Sequence, residues 1–338
     1  MIVQMKSDAS SEETENVVQR AKSLGLNVQM NYGTDKIVVA ILGSNTGQID
    51  IDIFAVLPGV ESVTRIMKPY KLASREVKKD NTLVTVDGVQ IGGKRLVIMA
   101  GPCAVESEEQ LTEAAFAVKE AGATVLRGGA FKPRTSPFSF RGLEEAGLKM
   151  LAKVRDKVGL PFITEVVDPN EVGLVAEYAD ILQVGSRNMQ NFALLTSVGR
   201  SERPVVLKRG FACSITEWLT AADYLLAEGN NQIILCERGI RTFEDSIRFS
   251  LDVSSIPVIK QFSHLPVIVD PSHAAGHYSL VPSLAKAAVA AGASGLIIEV
   301  HPNPEKALVD GLQSLTPKNF GVLMLELKAI AKAVGMGI

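Results

Sequence analysis

Cysteine is scarce in this 338-residue chain, with three residues at 103, 213 and 236, too few for a disulfide framework. That scarcity favours a reducing, cytoplasmic setting. No apolar run approaches the about 20 residues that a membrane span requires. The N-terminus, Met1-Ile2-Val3-Gln4-Met5, is too short and wrongly flanked for a signal peptide. Net charge is nearly absent at −2, so the overall balance points to neither nucleic acid nor a membrane. What is present is ordinary for a soluble globular protein, 46% hydrophobic and 21% charged residues. The length suits one large α/β barrel with a small extra domain.

Residues 1–67 lack His, Cys and any phosphate loop, which argues against catalysis there and for ligand sensing or assembly. Ile2–Met5 reads as a strand. Ser10 and Glu13 have capping-box spacing ahead of a helix with Val17, Val18, Ala21 and Leu24 on one face. Leu26–Tyr32 and Lys36–Leu42 pair across Gly33-Thr34-Asp35. A second helix spans Ile49–Leu57 and stops at Pro58-Gly59, and Val60–Met67 is a fourth strand. The order βαββαβ predicts a ferredoxin-like domain. Residues 68–80, rich in Lys and Arg, read as a solvated linker. Asp87-Gly88 then splits Leu83–Val86 from Val89–Ile91 as a hairpin, expected to plug the bottom of the larger domain.

In the remainder of 81–338, apolar strands alternate with amphipathic helices. Strands are expected at Leu96–Ala100, Thr124–Arg127, Phe162–Glu165, Ile181–Val184, Val205–Lys208, Ile233–Cys236, Val267–Asp270 and Leu296–Glu299. Eight such units match the size and order of a (β/α)8 TIM barrel. An open doubly wound sheet is the rival, because alternation alone does not close a ring.

Side chains at the strand ends bear on that choice. Cys103 follows strand one, His273 follows strand seven, Glu299 ends strand eight and Asp310 lies in the next loop. A thiolate, an imidazole and two carboxylates suffice for one divalent cation. Taken alone, a cysteine or a histidine is more often structural. Their coincidence at the active face of the barrel reverses that preference. Only a closed ring makes strands one and eight neighbours, so a shared metal supports closure. Mixed S, N and O donors suit Mn, Fe, Co or Zn better than Mg. His301 is a rival or outer-sphere ligand, His264 should sit on the wrong face, and Cys236 reads as core.

Cations gather at the same end. Arg127 ends strand two, Lys132-Pro133-Arg134-Thr135-Ser136 follows, Ser186-Arg187 follows strand four, Lys208-Arg209 ends strand five and Arg238 follows strand six. Arg forks onto carboxylate or phosphate, while Lys supplies a point charge. One phosphate rarely needs so many cations, which implies two anionic groups or two substrates. Glu165 among them either pairs with a cation or tunes and transfers protons.

Together Ala100-Gly101-Pro102-Cys103, Lys132-Pro133-Arg134-Thr135-Ser136, Leu207-Lys208-Arg209-Gly210, Leu235-Cys236-Glu237-Arg238-Gly239, Asp270-Pro271-Ser272-His273 and Glu299-Val300-His301-Pro302 resemble 3-deoxy-D-arabino-heptulosonate 7-phosphate (DAHP) synthase. The resemblance runs from about Leu96 to the C-terminus. The related 3-deoxy-D-manno-octulosonate 8-phosphate (KDO8P) synthase shares the Gly-Pro-Cys start but has Asn where this chain has Pro133. The N-terminal unit resembles the regulatory domain of the short microbial DAHP synthases.

The resemblance implies condensation of phosphoenolpyruvate with erythrose 4-phosphate, the first step of the shikimate pathway. The KDO8P-type reaction on arabinose 5-phosphate is the alternative. It further implies that Arg127, Lys132, Arg187, Lys208 and Arg238 hold phosphoenolpyruvate, and that Arg134, Thr135 and Ser136 hold the aldose phosphate. Ser186 stands where many relatives carry Ala; a backbone N–H contact to phosphate survives that change. Lys132 is the expected acid for the aldehyde oxygen, and Glu165 the group that handles water. Feedback inhibition by tyrosine or phenylalanine and a homotetramer are expected by the same analogy.

Overall fold

A computed structural model describes all residues except 34–35, 44–45, 47–48, 66–68, 134–135 and 137. The expected turn at Gly33-Thr34-Asp35 and the end of the fourth strand therefore lie partly outside the described residues. The chain divides into two compact units, Met1–Asn81 with Phe262–His264, and Thr82–Gln261 with Leu265–Ile338.

In the first unit, β1 (Ile2–Met5), α1 (Ser11–Ser23), β2 (Asn27–Tyr32), β3 (Ile37–Leu42), α2 (Asp52–Ala55) and β4 (Val60–Thr64) follow one another. The antiparallel sheet has order β2-β3-β1-β4, the ferredoxin-like arrangement the sequence predicts. Ser10 and Glu13 form the capping box reciprocally, a device that contributes about 1 kcal/mol. Val17, Val18 and Ala21 turn inward against Val3, Met5, Val39, Ile41 and Phe54. The second helix is shorter than expected at four residues, because Ile51 at its N-cap offers no side-chain oxygen. Residues 70–77 are not a solvated stretch: Tyr70, Leu72, Ala73, Ser74 and Val77 are buried. Apolar side chains interleaved with Lys71 and Arg75 account for that difference. His264 Nε2 bonds the Leu72 carbonyl at 2.9 Å.

In the second unit, β5 (Val84–Val86) and β6 (Val89–Ile91) form the hairpin. Asp87 and Gly88 both adopt positive φ, 48° and 82°, as a two-residue turn matched to strand twist requires. The barrel follows as β7 (Val97–Gly101), α3 (Glu108–Ala121), β8 (Val125–Arg127), α4 (Glu144–Val158), β9 (Phe162–Val166), α5 (Val172–Tyr178), β10 (Ile181–Val184) and α6 (Phe192–Gly199). It continues through β11 (Val205–Lys208), α7 (Ile215–Ala227), β12 (Ile233–Glu237), α8 (Ser255–Phe262), β13 (Val267–Val269), α9 (Pro271–Ala275), α10 (Val281–Ala290), β14 (Gly295–Glu299) and α11 (Pro317–Ala333). The eight parallel strands close into a ring.

Closure is made by β14 on β7, in register from Gly295 opposite Val97 to Glu299 opposite Gly101. That pairing excludes the open sheet and sets Glu299 beside the turn that leads to Cys103. Interior positions from all eight strands, among them Met99, Val125, Ile163, Ile181, Val206, Cys236, Ile268 and Ile297, share one core with Val84, Val86 and Ile91 of the hairpin. The hairpin thus plugs the end opposite the strand C-termini, and Cys236 is core. Among the described residues no helix is long and apolar enough to cross a membrane.

Candidate active site

The four expected ligands come together. One donor atom each from Cys103, His273, Glu299 and Asp310 lies within 4.8 Å of all the others. Cys103 Sγ is 3.3 Å from Asp310 Oδ2. His273 Nε2 is 3.4 Å from Glu299 Oε1 and 3.7 Å from Asp310 Oδ2. Donors about 2.0–2.3 Å from one ion stand about 3–4 Å apart, so the spacing fits a single divalent cation. Asp310 holds its place with φ at 54°, an uncommon backbone conformation for a residue with a side chain.

Local chemistry orients each ligand. Asp270 caps α9, accepting from His273 N at 2.9 Å through Oδ1. Its Oδ2 accepts from His273 Nδ1 at 2.7 Å, which places the ring proton on Nδ1 and leaves the Nε2 lone pair available to a cation. The same Oδ2 takes Lys208 Nζ at 2.5 Å. Glu299 N donates to Ser272 Oγ at 3.0 Å, tying β14 to α9. Lys132 Nζ lies 3.0 Å from both the Cys103 carbonyl and its sulfur.

Electrostatics favour a cation here. Burial resists charge on Glu299, but His273 and Arg127 outweigh it and hold the carboxyl at about 2. Burial likewise opposes the Asp270 carboxylate, and His273 and Lys208 overcome it, keeping it well below the usual range. Burial pushes the Cys103 thiol up, and Glu299 adds to that rise. A coordinating divalent ion reverses this, since a bound thiol is deprotonated outright. The donor set therefore fits the metal by geometry and by charge.

The cationic set divides into two groups. Arg127 is paired with Glu299 at 2.6 Å and Lys208 with Asp270 at 2.5 Å. Arg209 meets two carboxylates, Glu237 at 2.9 Å and Asp252 at 2.8 Å, so its charge is compensated inside the fold. Among the described residues, Lys132, Arg187 and Arg238 have no carboxylate partner in an ion pair. Arg238 instead lies against two phenylalanine rings, 4.1 Å from the centroid of Phe249 and 4.9 Å from that of Phe211. Arg187 lies 5.5 Å from the same Phe211 ring. Burial lowers the Arg238 guanidinium to about 10.

Glu165, on β9, is buried and accepts from Gln183 Nε2 at 3.3 Å. That hydrogen-bond partner is an amide, while the charge of Glu165 also acts on Lys132; among the described residues Glu165 forms no ion pair within 4.0 Å. Ser186 is half-buried and its Oγ has no hydrogen-bond partner among the described residues. Ser136 is exposed; Arg134 and Thr135 lie outside the described residues. His301 is not in the cluster: its Nε2 meets Glu106 Oε2 at 3.3 Å and its Nδ1 accepts from Asn303 N.

Residues that sequence reasoning left unassigned are Asp270, Gln313, Arg248, Phe211 and Phe249. Only Asp270 carried a readable signal, an Asp before Pro-Ser-His at a helix start.

Residues 74–334 match the DAHP synthetase I family, and residues 1–68 match the DAHP synthase ferredoxin-like domain. A phospho-2-dehydro-3-deoxyheptonate aldolase of Thermotoga maritima is 48% identical over 338 residues, 100% of both chains. The crystal structure of phospho-2-dehydro-3-deoxyheptonate aldolase (DAHP synthase) from Thermotoga maritima superposes with a TM-score of 0.80 at 48% identity, covering 99% of this chain and 98% of that one. A 2-dehydro-3-deoxyphosphooctonate aldolase of Desulfatibacillum aliphaticivorans is 35% identical over 272 residues, 75% of this chain and 98% of its own.

Proposed function

The chain belongs to the DAHP synthetase I family and catalyses the DAHP synthase reaction, and from that premise we propose that it does so with a divalent cation held by Cys103, His273, Glu299 and Asp310. The observation that carries this reading is the meeting of those four donors within 4.8 Å, with Lys132, Arg187 and Arg238 nearby in no carboxylate ion pair among the described residues. Their mixed S, N and O chemistry suits Mn, Fe, Co or Zn.

Phosphoenolpyruvate and erythrose 4-phosphate are both anions and repel each other. Arg127, Lys132, Arg187, Lys208 and Arg238 hold the first, and Arg134, Thr135 and Ser136 the phosphate of the second, so the cationic mouth offsets that repulsion and the entropic cost of meeting. When bound, the cation supplies Lewis acidity toward the aldehyde oxygen. Carbon 3 of phosphoenolpyruvate attacks the aldehyde carbon, and Lys132 Nζ, beside Cys103, gives its proton to the oxygen. Water adds at carbon 2, and Glu165 takes the proton released. Collapse of the adduct breaks the bond between carbon 2 and the bridging oxygen. The carbon 2 hydroxyl becomes the ketone and gives its proton to the departing phosphate, and inorganic phosphate leaves with DAHP formed.

The arabinose 5-phosphate alternative is not favoured, since the Thermotoga maritima phospho-2-dehydro-3-deoxyheptonate aldolase matches the full chain at 48% identity, whereas the 2-dehydro-3-deoxyphosphooctonate aldolase matches 75% of it at 35%. Phosphate release from phosphoenolpyruvate should require erythrose 4-phosphate, stop with chelator and return with manganese. Absence of release from manganese-replete protein with both substrates would overturn the reading. Arabinose 5-phosphate should support a far lower rate.

The ferredoxin-like unit supports feedback inhibition by tyrosine or phenylalanine, in a cytoplasmic homotetramer. A chain starting near Lys71 should stay active and lose that inhibition; retained sensitivity would move the effector site to the barrel.

A further inference from the structure

The 17 residues from Arg238 to Ser254 connect β12 to α8 and fold back over the barrel mouth. Ile240 and Ser250 bridge antiparallel. Phe249 N then donates to the Ala274 carbonyl at 3.0 Å and Arg248 N to that of Ala275 at 3.4 Å, seating the two residues on α9, which carries His273. Two glycines with positive φ make room. A Cβ on Gly276 would stand 2.5 Å from Arg248 Cβ, and one on Gly239 would stand 2.7 Å from Phe249 Cβ.

The adjacent side chains serve opposite halves of the site. Arg248 Nη1 donates to Asp310 Oδ1 at 3.3 Å and to Gln313 Oε1 at 2.6 Å. Gln313 Nε2 passes the contact on to Glu299 Oε2 at 2.6 Å. Those are the outward oxygens. The remaining pair, Asp310 Oδ2 and Glu299 Oε1, face Cys103 and His273. Holding one oxygen of each carboxylate from behind aims the other at the centre.

Phe249 lies on the substrate side. It stacks on Phe211, with ring centroids 5.0 Å apart and planes 10° from parallel, and both rings abut the buried Arg238 guanidinium. Arg238 Nη1 has no hydrogen-bond partner among the described residues. A ring attracts a cation without cancelling its charge. Arg127 and Lys208 are each paired with one carboxylate, whereas Arg238 shares its charge with no carboxylate in an ion pair among the described residues.

We infer that Arg248 and Phe249 are a pair of positioning residues, one aiming the carboxylate ligands Glu299 and Asp310, the other holding Arg238 ready for the anionic substrate. Neither touches the reacting atoms, and the inference rests on the metal and phosphoenolpyruvate sites proposed above.

The test uses full-length protein and two readouts: manganese binding to metal-stripped protein by calorimetry, and kcat and KM for phosphoenolpyruvate in excess manganese. Arg248→Ala should weaken manganese binding about ten- to a hundredfold while KM at saturating metal stays within about twofold. Phe249→Leu should raise KM about tenfold with manganese affinity unchanged, and Phe249→Tyr, which keeps the ring, should restore it. Wild-type affinity in Arg248→Ala, or a kcat loss without a KM change in Phe249→Leu, would overturn the pairing. A tenfold KM rise in Phe249→Tyr overturns the ring's role even should the Leu variant not fold. Wild-type protein that binds no manganese sinks the metal reading itself, a result distinct from a failure of the variants alone.

Discussion

Arg127 donates to Glu299 Oε1 at 2.6 Å, so a residue expected on the substrate and a residue expected on the metal form one buried ion pair. The two are 172 positions apart yet meet because β7, β8 and β14 are neighbours in the ring. Removing one partner of such a pair leaves an uncompensated buried charge. Arg127→Met should therefore destabilise the protein by about 3–5 kcal/mol. Manganese should return part of that loss by taking over the compensation of Glu299. Denaturant unfolding with and without the ion measures both effects; equal stability of the variant in both conditions would contradict them.

Cys103→Ala separates an enzyme from a non-catalytic sensor on the same scaffold. Manganese at about a hundred times its dissociation constant should stabilise the wild type by about 2.7 kcal/mol. The variant should lose most of that gain together with turnover. Unchanged turnover would place the chemistry elsewhere.

Gly185 gives Glu165 its place. A Cβ at Gly185 would stand 2.0 Å from Glu165 Oε1, while the glycine itself has an ordinary φ of −72°. Gly185→Ala should thus cost little stability but displace the carboxylate. A shift of about 1 Å in a catalytic group can cost a hundredfold in rate, so kcat should fall by about ten- to a hundredfold with the thermal midpoint nearly unchanged. A variant with normal kcat would remove Glu165 from the proposed proton step.

His264 should shape the acid limb of stability. Burial, aided by the charges of Lys78 and Arg75, lowers it to about 4, against the partial opposition of its bond to Leu72. Between the ordinary value near 6.5 and about 4, the unfolded chain binds a proton that the folded one refuses. Stability therefore falls as pH drops through that window, by up to about 3 kcal/mol, and levels off for this group below it. In His264→Gln that slope should flatten, as thermal midpoints from pH 7 to 4.5 would show.

Much of the fold was legible because its signals are local. Ser10 with Glu13 marks a helix start through its own backbone contacts. Asp87-Gly88 marks the hairpin in the same way. The short α2 was misjudged because periodicity near Ile51 carries no cap to fix where a helix begins. Residues 70–77 misled because their Lys and Arg residues mask the apolar side chains between them. The candidate metal donors were legible as residue types at strand ends. Arg209 reads from sequence only as a strand-end cation, because Asp252, 43 positions away, reaches it only after folding.

Spacing and residue type alone thus specify the strands, the caps and the kinds of ligand present, since these depend on neighbours within a few positions. Which charges are paired inside the protein follows from the strand order and from closure of the ring. Closure brings Arg127 to Glu299 across 172 residues. The strand order sets Lys208 against Asp270 and Arg238, among the described residues, against aromatic rings in place of a carboxylate. A charge is compensated by whatever lies within a few ångströms of it, and for these buried groups only the tertiary structure decides what that is.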